Sequence, residues 1–257
     1  MTRVALFQVE VNDVETPVER VERVARVVEG LTDVDLVILP ELWHVGAFDL
    51  VGAHDNAEPI DGPLVTRMRD AARTADIWLH AGSFAELARG LRHNTSVVID
   101  PSGDVVATYR KQHLFGWEGG ESSVMTAGDV LVVFPTPLGA TGLATCYDLR
   151  FPELFRRLVD SGTETVLLTS GWPVARIDHW NVLARARAIE NQTWFIACNT
   201  AGTHAGVEMG GRSVVVDPSG AVIAEAGAGE EILYADVDPA AVPELRRLFP
   251  VLTDRRL

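Results

Sequence analysis

The sequence predicts an α/β protein, a four-layer αββα sandwich with an internal pseudo-two-fold duplication, and three observations carry that expectation. Short apolar runs rich in β-branched residues alternate with amphipathic segments along the whole chain, the pattern of sheets covered by helices. Offset by 117 positions, Ser96-Val97-Val98-Ile99-Asp100-Pro101-Ser102-Gly103 meets Ser213-Val214-Val215-Val216-Asp217-Pro218-Ser219-Gly220, and nine of the thirteen positions from 95 to 107 are identical to their counterparts. Trp78 and Trp194, each opening an apolar strand after a helix, fall at nearly the same offset, and Val166-Leu167-Leu168 with Ser170-Gly171-Trp172 echoes Leu36 to Trp43. Two periods are too few for a solenoid, and no Pro/Gly/Ser-rich linker divides them. Residues 1–257 are therefore expected to form one domain, two similar sheets packed face to face with helices outside.

Each element follows from local pattern. Val4 to Val9 reads as a buried strand; Val18, Val21, Val24, Ala25 and Val28 then recur at helical spacing, and Gly30 closes the helix. Leu36-Val37-Ile38-Leu39 is a buried strand stopped by Pro40, and the loop after it begins Glu41-Leu42-Trp43. A helix from about Gly62 to Ala75 leads to a strand at Ile77 to Ala81, and Thr95 to Tyr109 forms two strands about the turn Asp100-Pro101-Ser102-Gly103. In the second half, strand Leu143-Ala144-Thr145 ends at Cys146, and Tyr147 to Arg150 turns into a helix with Pro152 near its first turn and Leu154, Phe155 and Leu158 on one face. Val166 to Leu168 and Trp194 to Cys198 are further apolar strands, and the latter makes Cys198 a core residue. The stretch 239–257 carries Leu245, Leu248 and Phe249 on a short amphipathic segment with nothing after it to cover that side.

Composition excludes several classes of function. The 22 Lys and Arg residues against 36 Asp and Glu give a formal net charge of -14, and no basic run offers a track for phosphates, so nucleic acid is not an expected partner. No stretch approaches the 18 apolar residues of a membrane span, and the charged opening Glu10, Asp13, Glu15 does not suit a secretory signal. A soluble cytoplasmic protein is expected. Cys146 and Cys198 lie 52 positions apart with no second cysteine near either, and the seven histidines form no HxxxH or HxH pair. Neither a disulfide scaffold nor a metal site is expected.

Three neighbourhoods can carry chemistry. Cys146 sits on a tight strand-to-helix turn, where backbone N–H groups and a helix N-terminus can stabilise a thiolate and a developing oxyanion, although a small core cysteine would have the same neighbours in sequence. His113 and His179 are the nearest histidines able to activate it; a desolvated carboxylate can do the same work, and Glu41, on a loop at the same rim, is the best candidate. Lys111, in Tyr109-Arg110-Lys111-Gln112-His113-Leu114-Phe115, would be kept charged beside a glutamate and a thiolate and could hold an oxyanion. Taken singly, Glu41 and Lys111 also fit solvated surface residues.

Together, in this order and spacing, Pro40-Glu41, the segment Tyr109 to Phe115 and Cys146-Tyr147-Asp148-Leu149-Arg150-Phe151-Pro152-Glu153 resemble the nitrilase superfamily of carbon-nitrogen hydrolases, a likeness that runs over nearly the whole chain. The resemblance implies Cys146 as nucleophile, Glu41 as general base and then acid, and Lys111 with the backbone N–H of Tyr147 as oxyanion donors. It also implies a second active-site glutamate. Gly120-Glu121-Ser122 followed by Ala127-Gly128-Asp129 matches the family stretch, which favours Glu121 over Glu118. Asp148 and Arg150 are expected to form an ion pair that holds the turn.

Within the superfamily the chain is most similar to the ω-amidase branch, which acts on small ω-amido carboxylic acids such as 2-oxoglutaramate. Ser170-Gly171-Trp172-Pro173 with Arg176 and His179-Trp180 carries that likeness, and the glycine-rich loop Gly116 to Gly120 departs from it. Tyr147, Trp172 and Arg176 are the expected substrate-binding residues, with Arg150 a rival to Arg176 for a substrate carboxylate. No cofactor is implied, and the partners expected are a small-molecule amide and a second copy of the chain joined through 239–257. Action on deaminated glutathione, an N-carbamoyl compound or a nitrile, or a silent scaffold role, are the alternatives.

Overall fold

The computed structural model describes residues 1–116 and 119–256. The first half contains β1 (Thr2–Gln8), α1 (Pro17–Glu29), β2 (Leu36–Ile38), α2 (Leu50–Asp55), α3 (Pro63–Ala75), β3 (Trp78–Ala88), β4 (Leu91–Ile99) and β5 (Val105–Arg110). The second contains β6 (Val133–Thr136), β7 (Gly139–Thr145), α4 (Pro152–Asp160), β8 (Thr165–Ser170), α5 (Ile177–Asn191), β9 (Trp194–Asn199), the small hairpin β10 (Thr203–His204) and β11 (Val207–Glu208), then β12 (Val214–Val216) and β13 (Val222–Glu225). β14 (Glu231–Val237) and α6 (Ala241–Leu248) follow.

Two six-stranded sheets result, ordered β14-β1-β2-β3-β4-β5 and β13-β12-β9-β8-β7-β6. The duplication is visible in the ladders: β1, β2 and β3 are parallel neighbours with β4 and β5 added antiparallel, and β7, β8, β9, β12 and β13 repeat that plan. Each hairpin slips register at corresponding positions, Val98/Ile99 in one and Val215/Val216 in the other. In each turn the aspartate, Asp100 or Asp217, accepts hydrogen bonds from the backbone N–H and hydroxyl of the serine two residues on.

Side chains alternate across the strands and so build one core between the sheets and one beneath each helical layer. Val4, Leu6, Leu36 and Ile38 face Leu143, Leu167, Ile196 and Cys198 of the other sheet. Ala5, Phe7, Val37 and Leu39 face outward onto Val24, Val28, Val65 and Met68 of α1 and α3. Ala144, Val166, Leu168 and Phe195 likewise meet Leu154, Phe155, Trp180 and Ala184 of α4 and α5. The helices start at local signals: Thr16 caps α1 in a capping box with Glu19, and Pro17, Pro63 and Pro152 open α1, α3 and α4.

Two elements differ from expectation. β3 runs on past Ala81 to Ala88, because a register shift between His80 and Ser83 lets the strand bend and continue. The short helix α2 has only Ala53 fully buried, too little apolar periodicity to be read from sequence. At the C-terminus, α6 seats Val242 in the core, Arg246 donates to the Thr163 carbonyl (2.8 Å), and Arg255 returns to Asp160 of α4 (2.6 Å). Leu248 and Phe249 stand clear, each 63% exposed.

Candidate active site

The strand ends of both sheets converge on one pocket. β2 stops at Pro40, which cannot donate to a ladder, and Glu41 follows with its N–H donating to the Ser170 carbonyl at the end of β8 (3.3 Å). Leu42 then adopts a left-handed conformation (φ 43°) that turns the chain away. The Glu41 carboxylate, 1% exposed, points inward: Oε1 accepts from Lys111 Nζ (2.7 Å) and Asn94 Nδ2 (2.8 Å), and Oε2 accepts from Gly171 N–H (2.8 Å). Only glycine fits at position 171, since a Cβ there would lie 2.4 Å from that of Ala47.

Lys111 leaves the end of β5, its N–H donating to the Asn94 carbonyl (2.9 Å) and its Nζ bridging Glu41 and Glu121 Oε2 (2.8 Å). Burial disfavours its charge, but Glu121 and Glu41 outweigh burial and raise its pKa well above the usual lysine value, which favours the ammonium. Glu121, on the short 3-10 turn Glu121–Ser123, accepts in addition from Phe115 N–H at Oε2 and from Asn94 Nδ2 at Oε1, both at 2.8 Å. Of the two glutamates that the sequence leaves in competition, Glu121 is therefore on Lys111, and Glu118 lies outside the described residues.

Cys146 follows the last residue of β7 and opens the 3-10 turn Cys146–Arg150 in a left-handed conformation (φ 46°) that a non-glycine residue adopts at a cost of about 1–3 kcal/mol. Burial raises its thiol pKa, and the adjacent Glu41 raises it further, while Lys111 pulls the other way; the net shift is upward and the resting group is a thiol. The next N–H, of Tyr147, lies in the first turn, where a helix offers no internal acceptor.

The expected Asp148–Arg150 ion pair is not formed. Asp148, fully buried, instead accepts from Tyr109 Oη (2.6 Å) and Thr145 N–H (2.9 Å) at Oδ2 and from His113 N–H (3.0 Å) and Nδ1 (2.7 Å) at Oδ1. A side chain at 0% exposure takes partners that come into the core, and Arg150 instead reaches outward, with its guanidinium 4.7 Å from the Trp172 ring centroid and donating to His179 Nδ1 (3.3 Å). Both histidines are thus occupied away from the thiol, leaving the carboxylate Glu41 as its neighbour.

Above Cys146, Lys111 and the two glutamates opens a cavity of about 240 Å3, walled by Ala47, Phe48, Phe115, Tyr147, Trp172 and Pro173. Arg150 and Arg176 both reach it. Arg176 lies 5.2 Å from the Phe115 ring centroid, and its carbonyl accepts from Trp172 Nε1 (2.7 Å). All seven residues singled out in the sequence, Glu41, Lys111, Glu121, Cys146, Tyr147, Trp172 and Arg176, line this one space. Among the described residues no group of three or more His, Cys, Asp or Glu side chains is arranged to hold a metal ion. The sequence reading missed Asn94 and Phe48; the polar run His93-Asn94-Thr95-Ser96, buried in β4, marks where the first could have been sought, though not which groups it meets.

The sequence profile of the family described as carbon-nitrogen hydrolase matches residues 3–247. A 2-oxoglutaramate amidase from Paenarthrobacter nicotinovorans is 41% identical, over 98% of this chain and 89% of that protein. A deaminated glutathione amidase from Dictyostelium discoideum is 35% identical, over 92% of this chain and 87% of that protein. Among solved structures, a CN-hydrolase superfamily protein from Xanthomonas campestris, with an arsenic adduct in its active site, superposes with a TM-score of 0.91 at 30% identity, covering 100% of this chain and 97% of that one.

Proposed function

The chain belongs to the carbon-nitrogen hydrolase family, and from that premise we propose that it hydrolyses the distal amide of a small ω-amido carboxylic acid, releasing ammonia through a thioester on Cys146. The observation that carries this reading is the buried Lys111 held between Glu41 and Glu121 on the floor of the pocket that contains the Cys146 thiol.

The chemistry follows from the charges. A thiol whose pKa is pushed upward is a poor nucleophile unless a base removes its proton as it attacks, and Glu41 is the base beside it. Sulfur bonds to the amide carbon, and the carbonyl oxygen becomes an oxyanion received by the Lys111 ammonium and the Tyr147 N–H. Glu41 returns the proton to the leaving nitrogen, the C–N bond breaks, and ammonia departs. A water then gives its proton to Glu41 and attacks the thioester; the C–S bond breaks, and the sulfur recovers the proton from Glu41. Glu121 fixes Lys111 and the reacting amide. No step calls for a metal or an organic cofactor.

Substrate class rests on the rest of the lining. Arg176 and Arg150 offer a guanidinium to a carboxylate, Trp172 and Tyr147 supply flat apolar sides, and about 240 Å3 suits a short linear amide better than a tripeptide. A 2-oxoglutaramate amidase at 41% identity agrees with this choice. The test is ammonia release from a panel containing 2-oxoglutaramate, succinamate, butanamide, deaminated glutathione, an N-carbamoyl amino acid and a nitrile. The expected order of kcat/KM puts the two ω-amido acids at least about tenfold above butanamide, the value of one charge-assisted hydrogen-bonding group. A preference for butanamide or deaminated glutathione would overturn the substrate class, and no turnover of any member would leave a scaffold.

The compartment proposed is the cytoplasm, in keeping with two free cysteines and with no helix of the described residues long and apolar enough to cross a membrane. The assembly proposed is a homodimer through the exposed Leu248 and Phe249.

A further inference from the structure

Asn94 occupies the centre of the charged cluster without carrying charge. It lies on β4, opposite Ala85 of β3, and is fully buried. Its carbonyl accepts the Lys111 N–H, while its Nδ2 donates to Glu41 Oε1 and to Glu121 Oε1, each at 2.8 Å. The carboxamide can adopt no other orientation, because a flip would set its oxygen against two carboxylate oxygens. Its Oδ1 is buried and has no partner among the described residues, a cost that an asparagine serving only to fill the core would avoid.

Counting lone pairs shows what this arrangement does. A carboxylate oxygen accepts two hydrogen bonds in its plane. Glu41 Oε1 already receives Lys111 and Asn94, and among the described residues Oε2 receives only Gly171 N–H. We propose that Asn94 is a positioning residue for the reaction: with Lys111 it fills Glu41 Oε1, so that the proton of Cys146 is taken and returned at Oε2. The inference rests on Glu41 as the base. A second cation at this position would hold the carboxylate too firmly to leave it basic, whereas a neutral amide satisfies the oxygen without that penalty. An apolar residue would leave Glu41 Oε1 with Lys111 alone and Glu121 Oε1 without its Asn94 donor, and the proton would have a second place to settle, on an oxygen already directed at Lys111. The charged and titratable groups facing the cluster are Glu41 after β2, Lys111 after β5, Glu121 on its 3-10 turn and Cys146 after β7; Asn94 is the only neutral side chain bonded to two of them among the described residues.

Asn94→Leu keeps the volume and removes both donors, and Asn94→Ala removes them without crowding. For a folded variant, kcat and the single-turnover rate of ammonia release should fall by roughly a hundredfold, the scale of a misdirected general base, with KM changed less than about twofold. Glu41→Gln, measured alongside, separates the premise from the inference. Near-normal turnover by Glu41→Gln removes the base itself; an inactive Glu41→Gln with Asn94 variants at wild-type kcat overturns only the role of Asn94. A parallel fall of kcat, affinity and thermal stability, or failure of both Asn94 variants to fold, makes Asn94 structural and also overturns it.

Discussion

Cys146 and Cys198 differ little in what burial does to them and greatly in what they can do. Both are buried in the described fold, and burial raises the pKa of both thiols. Cys198 lies inside β9 between the two sheets, where its Sγ donates to the carbonyls of Phe7 and Ile38 at 3.4 Å. Cys146 lies one residue past the end of β7, in a left-handed turn, with a carboxylate beside it and a cavity above it. The lesson is that ionisation tendency does not tell a reagent from a core residue. A proton acceptor within reach and a route for substrate make the difference, and the two halves of the duplicated scaffold supply them jointly: Glu41, Asn94 and Lys111 come from the first, Cys146 and Gly171 from the second.

That comparison breaks most sharply at Cys146→Ala, which is expected to fold and to reduce ammonia release to background, since no other group can form the thioester; residual activity near wild type would end the assignment. Glu41→Gln and Lys111→Met come next, with an expected loss of about a hundredfold or more for removal of a general base or an oxyanion donor. Stopped single-turnover kinetics should place the defect of both in acylation, and an unchanged acylation rate would exclude the residue concerned.

The smaller effects concern stability and assembly. His44 is buried with both ring nitrogens unpartnered among the described residues, and burial, helped by Arg20, lowers its pKa to about 3; burial lowers that of His80 to about 4. Below the unfolded histidine value of about 6.5 the unfolded chain binds protons that the folded chain refuses. Stability attributable to these groups should thus be complete above about pH 6.5 and decline as pH falls toward 3, and urea midpoints that do not drop between pH 7 and pH 4.5 would contradict this. Light scattering on the full chain and on one ending at Val242 should give a dimer and a monomer; a monomeric full chain, or a truncated chain still dimeric at low concentration, would show that the tail does not join subunits. Smallest of all, Cys198→Ala should keep full activity and lose about 1–2 kcal/mol of stability through a small core cavity, so an inactive, folded Cys198→Ala protein would erase the contrast between the two thiols.

Much of this was legible in the sequence because it is local. The short apolar runs Leu36 to Leu39 and Val166 to Leu168, the proline-started helices and the paired Asp-Pro-Ser-Gly turns each depend on neighbours in the chain, and the duplication extends even to the register slip beside each turn. The three motifs that gather Glu41, Lys111 and Cys146 are legible for the same reason. Asn94 was not, since an asparagine in a strand carries no sign of which two carboxylates will reach it from positions 41 and 121. Asp148 misled for the opposite reason: Arg150 is close in sequence, but the partners chosen by its buried carboxylate, Tyr109 and His113, come from another strand and the loop that follows it.

The central claim, a thioester on Cys146 formed at the expense of an amide, is tested most directly by rapid acid quench of the enzyme with 2-oxoglutaramate or succinamate, followed by mass analysis of the intact protein and its peptides. One acyl group per chain is expected, on the peptide containing Cys146, appearing with a burst of one equivalent of ammonia and absent from Glu41→Gln on the same timescale. Steady ammonia release with no acylated protein at any quench time, or an acyl group carried by Cys198, would contradict it.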